Sequence, residues 1–191
     1  LGSGGKPITI NGLSPGTEYD VYIRTNCSSG GDGYSDWYGP HRLKTPCTTI
    51  GAPFYENFDG SDWVSGSGEG NGNAVIDDCW DRVNSTAYKW GTHAGATASA
   101  LTGPNDDFNG GGKYLLAEAN NGIMGDSAMI ISPRIDVSSL TNPYLSFYYF
   151  MHGDQMERLR VDIYDGTTWH NGVLSIIGEQ QTQPTDPWAE A

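Results

Sequence analysis

Apolar and polar residues alternate with a period of two in several short runs of this chain. Tyr19, Val21 and Ile23 stand against Asp20, Tyr22 and Arg24, and Leu159, Val161 and Ile163 against Arg160, Asp162 and Tyr164. Alternation of this kind makes a half-buried strand. The pattern predicts further strands over 113–118, over 127–132 (closed by Ser132-Pro133), and over the aromatic run 144–151. Asp165-Gly166 is a turn that sends the chain toward Trp169. Phe54, Glu56 and Phe58 share strand parity, so Glu56 is expected on an otherwise apolar face. A carboxylate there is costly unless it finds a partner or a metal. Short strands set between Gly/Asn/Pro clusters are the sequence form of an antiparallel sandwich.

Composition agrees. Gly accounts for 27 of 191 residues, about twice the usual share of roughly 7%, and helix formers never cluster. A hydrophobic content of 37% is modest but sufficient for a sandwich core. The fold class is therefore all-β, in two modules: 1–46 and 47–191, joined at Thr45-Pro46-Cys47. The net charge of −13 excludes a nucleic-acid surface, which needs clustered Lys and Arg. It also disfavours anionic membranes, and no apolar run approaches the ~18 residues of a membrane span. Leu1 and Ala191 both fall in mid-pattern, so the sequence is expected to be a piece of a longer protein, with the rest of the parent chain upstream of residue 1.

The order of parts from Gly103 to Gly153 carries a family resemblance. Gly103-Pro104 with Asp107 gives GP-x-x-D; Gly112, Tyr114 and Leu115 give G-x-Y-L; a small-residue strand runs from Ala128 to Ser132-Pro133; and Leu145, Phe147, Tyr149, Met151 and Gly153 give L-x-F-x-Y-x-M-x-G. This resembles the MAM domain, an extracellular jelly-roll module. The first module resembles the C-terminal half of a fibronectin type III domain: Leu13, Pro15, Thr17 and Tyr19 form L-x-P-x-T-x-Y, with Tyr19 placed like the tyrosine corner of β-sandwich domains. Such a domain needs roughly 100 residues, so its upstream half and the cover of its apolar face (Ile8, Ile10, Tyr19, Val21, Ile23) are expected from elsewhere. The tandem resembles bacterial secreted and surface proteins more than animal receptors, since animal MAM domains usually carry four cysteines and this module has two.

The three cysteines, 27, 47 and 79, form no zinc motif. If the last two fibronectin-like strands are antiparallel neighbours, Cys27 and Cys47 lie at opposite poles, separated by about 25 Å at ~3.3 Å per residue. That far exceeds the roughly 7 Å Cα limit of a disulfide. Cys47 and Cys79 are therefore expected to pair, with the partner of Cys27 upstream. Asn26 and Asn84 open glycosylation sequons.

No H-E-x-x-H is present, and His41, His93, His152 and His170 are scattered. The nearest acid pair on one strand, Glu157 and Asp162, has odd spacing and faces opposite ways. No catalysis is expected. A structural calcium ion is expected from the resemblance to other jelly rolls. Asp107 is its leading ligand, with Glu56, Asp59, Asp106 and Glu118 as further oxygen donors, since calcium takes carboxylates and carbonyls together. Trp63, Tyr88, Trp90 and Trp169 are candidates for a sugar-stacking platform. The function expected is non-catalytic adhesion or recognition by a secreted or cell-surface protein, its partner another protein or a surface glycan. The alternatives are a carbohydrate-binding module attached to an enzyme, and a jelly-roll glycoside-active enzyme.

Overall fold

A computed structural model describes residues 8–26, 31, 33–67, 73–84, 88–119 and 122–191. Its strands are β1 (Glu18–Ile23), β2 (Tyr38–Lys44), β3 (Ile50–Gly51), β4 (Asp81–Asn84), β5 (Trp90–Ala94), β6 (Lys113–Ala117), β7 (Ala128–Ile131), β8 (Ile135–Asp136), β9 (Tyr148–Tyr149), β10 (Arg158–Tyr164), β11 (Trp169–Ile177) and β12 (Ala189–Glu190). The chain is all-β and of the jelly-roll sandwich class. Among the described residues, no helix is long and apolar enough to cross a membrane.

Two compact units divide the chain: Leu1–Phe54 with Ser132–Ser139, and Tyr55–Ile131 with Leu140–Ala191. In the first, β1 and β2 form an antiparallel hairpin in the register Glu18↔Lys44 to Ile23↔Tyr38. Ser14 donates its amide to the Tyr19 hydroxyl at 2.9 Å, bracing the entry to β1. β3 pairs in parallel with β8, and this groups 47–54 with the first unit. The face of the hairpin that alternation marks as apolar is only partly covered: Tyr19 and Val21 are half-buried, while Ile23 is exposed and Ile8 is 89% exposed.

In the second unit the pairs are β4–β7, β5–β6, β9–β12 and β10–β11, all antiparallel. The core is aromatic. Trp63 is 2% exposed and packs edge-on against Phe58 and Trp80, with ring centroids 5.0 and 5.5 Å away. A second chain of rings runs from His93 through Tyr114, Trp188 and Phe150 to His152.

Two predicted strands come out differently. The run 54–58 keeps its predicted alternation, with Phe54, Glu56 and Phe58 half-buried and Tyr55 and Asn57 exposed, but it joins no ladder, and Phe58 closes it in a left-handed backbone (φ 64°). Glu56 therefore spends its carboxylate locally, accepting the Phe58 amide at 2.7 Å. The aromatic run 144–151 shrinks to β9, where Tyr148 and Tyr149 pair with β12 and Phe147 extends the pairing by exchanging both backbone hydrogen bonds with Ala191. Tyr144 is left exposed.

Candidate functional site

The loop that leads into β6 brings Asp106 and Asp107 beside Asp59 and Lys113. Its glycines let the backbone turn close to the acids. A Cβ on Gly112 would stand 2.8 Å from both Asp107 Oδ2 and Asp59 Oδ1, so both carboxylates converge on this one point. The two acids, Ala94 and the glycines 110–112 line a shallow open depression.

Every carboxylate oxygen here accepts an N–H. Asp107 takes the amides of Gly112 (2.9 Å) and Asn109 (3.2 Å). Asp106 takes those of Asp107 (2.9 Å) and Gly111 (2.8 Å). Asp59 takes the Lys113 amide at 2.8 Å and the Asn57 side-chain amide at 2.8 Å. Carboxylates in turns cap nearby amides in this way. The Lys113 ammonium completes the arrangement, donating to the carbonyls of Asp59 (3.2 Å), Gly60 (3.2 Å) and Trp63 (2.9 Å). Close by, the phenol of Tyr114 is pushed up by burial first, with the charges of Asp106, Asp107 and Glu118 adding to the shift.

Of the five acids expected to hold calcium, the fold thus gathers Asp59, Asp106 and Asp107. Glu118 follows the far end of β6, roughly 16 Å from Lys113 at ~3.3 Å per residue, and lies 3.3 Å from the Ser99 hydroxyl. Glu56 is occupied by its own turn. The gathered acids do not fit a calcium ion as they stand. Each carboxylate oxygen already accepts one N–H, and the adjacent carbonyls, the other ligand type calcium needs, already bind an ammonium. Among the described residues, no group of three or more His, Cys, Asp or Glu is placed to hold a metal ion. Sequence reasoning missed Lys113. Its signal was weak: a single Lys after an Asp-Asp and a glycine run, in a chain with 10 basic residues against 23 acids.

The four rings expected to form a platform are not brought together. Trp63 is a core residue, closed in by Phe58 and Trp80. Trp90 is half-buried and donates its indole N–H to the Ala128 carbonyl at 3.1 Å. Tyr88 is half-buried and its phenol is pushed up by burial, then by Glu118 and Asp126. Trp169 alone presents a ring outward, 43% exposed on the β10–β11 hairpin and 5.2 Å from the Tyr164 ring.

Cys47 and Cys79 are joined in a disulfide, as the pole argument expects. Cys27 lies outside the described residues. Glu157 and Asp162 do not converge: Asp162 pairs with Arg160 at 2.8 Å, and Glu157 lies 3.9 Å from Arg158. The run Gly12-Leu13-Ser14-Pro15-Gly16 has the G-x-S-x-G spacing of a nucleophile elbow. It lacks the strand-to-helix setting: it leads into β1, with the Ser14 carbonyl accepting the Thr45 hydroxyl at 2.6 Å.

Comparison with known proteins completes the picture. The profile of the MAM domain, meprin/A5/mu, matches residues 71–191. Neuropilin-1 of Xenopus laevis is 29% identical over 175 residues, covering 87% of this chain and 17% of the relative. Zonadhesin of Mus musculus is 35% identical over 81 residues, 41% of this chain and 2% of its own length. Neuropilin-1 of Homo sapiens is 27% identical over 118 residues, 58% of this chain and 11% of the relative. The chain thus spans less than a fifth of each of these curated relatives. No solved structure matches it significantly.

Proposed function

Because this chain belongs to the MAM domain family, we propose that it is a non-catalytic adhesion or recognition module of a larger protein, with another protein as its ligand. MAM domains are extracellular, adhesion-type modules of larger proteins, and the chain is of the secreted or cell-surface class. The observation that carries the non-catalytic reading is the condition of its gathered acids. Asp59, Asp106 and Asp107 have every oxygen bonded to an N–H, so they serve the turn rather than a substrate. General acid–base work needs a carboxyl poised to exchange a proton with a bound reactant.

Residues 47–191 are read as the MAM-like module and residues 1–46 as the C-terminal part of a fibronectin type III domain. Support for the latter is the Ser14-to-Tyr19 bond, which has the form of a tyrosine corner, together with the antiparallel β1–β2 pairing.

A second reading, a carbohydrate-binding module attached to an enzyme, draws its support from the exposed Trp169–Tyr164 ring pair. Presenting the intact chain to a glycan array and to an array of extracellular proteins separates the two. The adhesion reading expects retention on proteins and none on glycans. Retention on glycans that Trp169→Ala abolishes would transfer the function to the second reading.

A further inference from the structure

The turn after Phe58 aims three backbone carbonyls, those of Asp59, Gly60 and Trp63, at one place. Converging carbonyl oxygens form a cup for a hard cation; of the three, the Gly60 carbonyl also accepts the Trp63 amide at 3.2 Å. Beside it stand the Asp59 and Asp107 carboxylates, two like charges meeting at Gly112. We infer that the Lys113 ammonium is the resident cation of this cup, so that the second unit holds its first-turn segment to β6 with a cation carried in the chain itself and needs no calcium there.

The stoichiometry supports this. An ammonium has three protons to donate, and Lys113 has three carbonyl acceptors at 2.9–3.2 Å. The Lys113 amide also donates to Asp59 Oδ1 at 2.8 Å, so one residue fastens the turn by both backbone and side chain. Lysine is also held in position covalently by β6, and unlike calcium it cannot be chelated away. Removing the ammonium should leave an oxygen-lined cup beside two carboxylates, which is the donor chemistry calcium prefers. The loss of Lys113 should therefore convert a cation-indifferent protein into a calcium-responsive one.

Melting the intact chain in chelator and again in excess calcium tests this. The unaltered protein should give one midpoint in both. Lys113→Met, which keeps the methylene stem, should melt lower in chelator by on the order of 5 °C, the scale at which lost charge-assisted hydrogen bonds appear in a protein this size. Added calcium should recover part of that loss. The inference is overturned by an unaltered protein whose midpoint climbs with calcium, by a Lys113→Met midpoint equal to the parent's, or by a lowered midpoint that ignores calcium. Should Lys113→Met not fold, amine acylation of the unaltered protein in chelator, read by mass spectrometry, decides. Lys113 reacting several-fold more slowly than the side chain of a blocked free lysine under the same conditions supports the inference, and equal rates overturn it.

Discussion

The β1–β2 hairpin and the β5–β6 pair are both antiparallel, and both are short. Their surroundings could hardly differ more. β2 is exposed along its whole length and β1 half-buries only Tyr19 and Val21. β5 buries Gly91, Thr92 and His93, and β6 buries Tyr114. Yet β1 has the cleaner alternation, while β5 buries a polar residue on each of its faces, Thr92 on one and His93 on the other. Thr92 is 0% exposed because its hydroxyl has the Val75 carbonyl at 2.8 Å, and His93 has the Ala96 carbonyl at 3.0 Å. Alternation reports that a strand has two unlike faces; it does not report whether anything covers the apolar one. Burial of a polar side chain depends on a hydrogen-bond partner, and for both residues that partner is a backbone carbonyl, which no pattern of residue types encodes.

The largest expected effect is in the covered region. Trp63→Ala empties the centre of the Phe58–Trp63–Trp80 cluster, and a cavity of that kind costs about 3–5 kcal/mol. Chemical denaturation should lose that much, and a loss close to zero would remove Trp63 from the core. Gly112→Ala ranks next, because the new Cβ meets the Asp59 and Asp107 carboxylates at 2.8 Å. Both are pinned by backbone amides, so the crowding should cost about 1–3 kcal/mol. A neutral Gly112→Ala would mean that the two acids are free to move aside.

In the uncovered hairpin the effects should be smaller and local. Tyr19→Phe removes the hydroxyl that accepts the Ser14 amide, at a cost of at most about 1 kcal/mol for a bond near solvent. Faster hydrogen exchange at Ser14 with little change in the global transition is the expected signature. The smallest effect belongs to the β10–β11 turn. His170, Thr167 and Thr168 bond to Asp165 and hold its carboxyl well below its ordinary 3.8. A depressed carboxyl stabilises the fold above its ordinary value, and that contribution disappears as the pH falls below it. The Thr167 and Thr168 amide shifts should therefore move only in strong acid, and Asp165→Asn should abolish that movement. A Thr167 or Thr168 titration that survives in Asp165→Asn would place its source elsewhere.

These contrasts also mark how much was legible in the residues themselves. The strands over 113–118, 127–132 and the run from Leu159 were readable, since alternation and Gly/Pro punctuation are local. So were the convergence of Asp59 with Asp107 and the Cys47–Cys79 pairing, the first from a family pattern and the second from strand geometry. Glu56 kept its predicted parity, but the partner of its carboxylate, the Phe58 amide two residues on, belongs to a turn that no sequence parity announces. The platform of four rings failed for a related reason. An aromatic residue carries no mark of whether it faces water, and Trp63 and Trp169 differ only in what the fold packs against them. Lys113 was missed because its partners are carbonyls, and a carbonyl has no residue type.

Native-state hydrogen exchange of the intact chain tests most directly the claim that the second unit carries the self-sufficient module. Amides of Thr92, His93 and Tyr114 should exchange only through global unfolding of that unit, while the Tyr19–Ile23 amides should exchange by local opening, orders of magnitude faster. Equal protection of the two hairpins would contradict the account, since it would mean that β1–β2 has a core of its own.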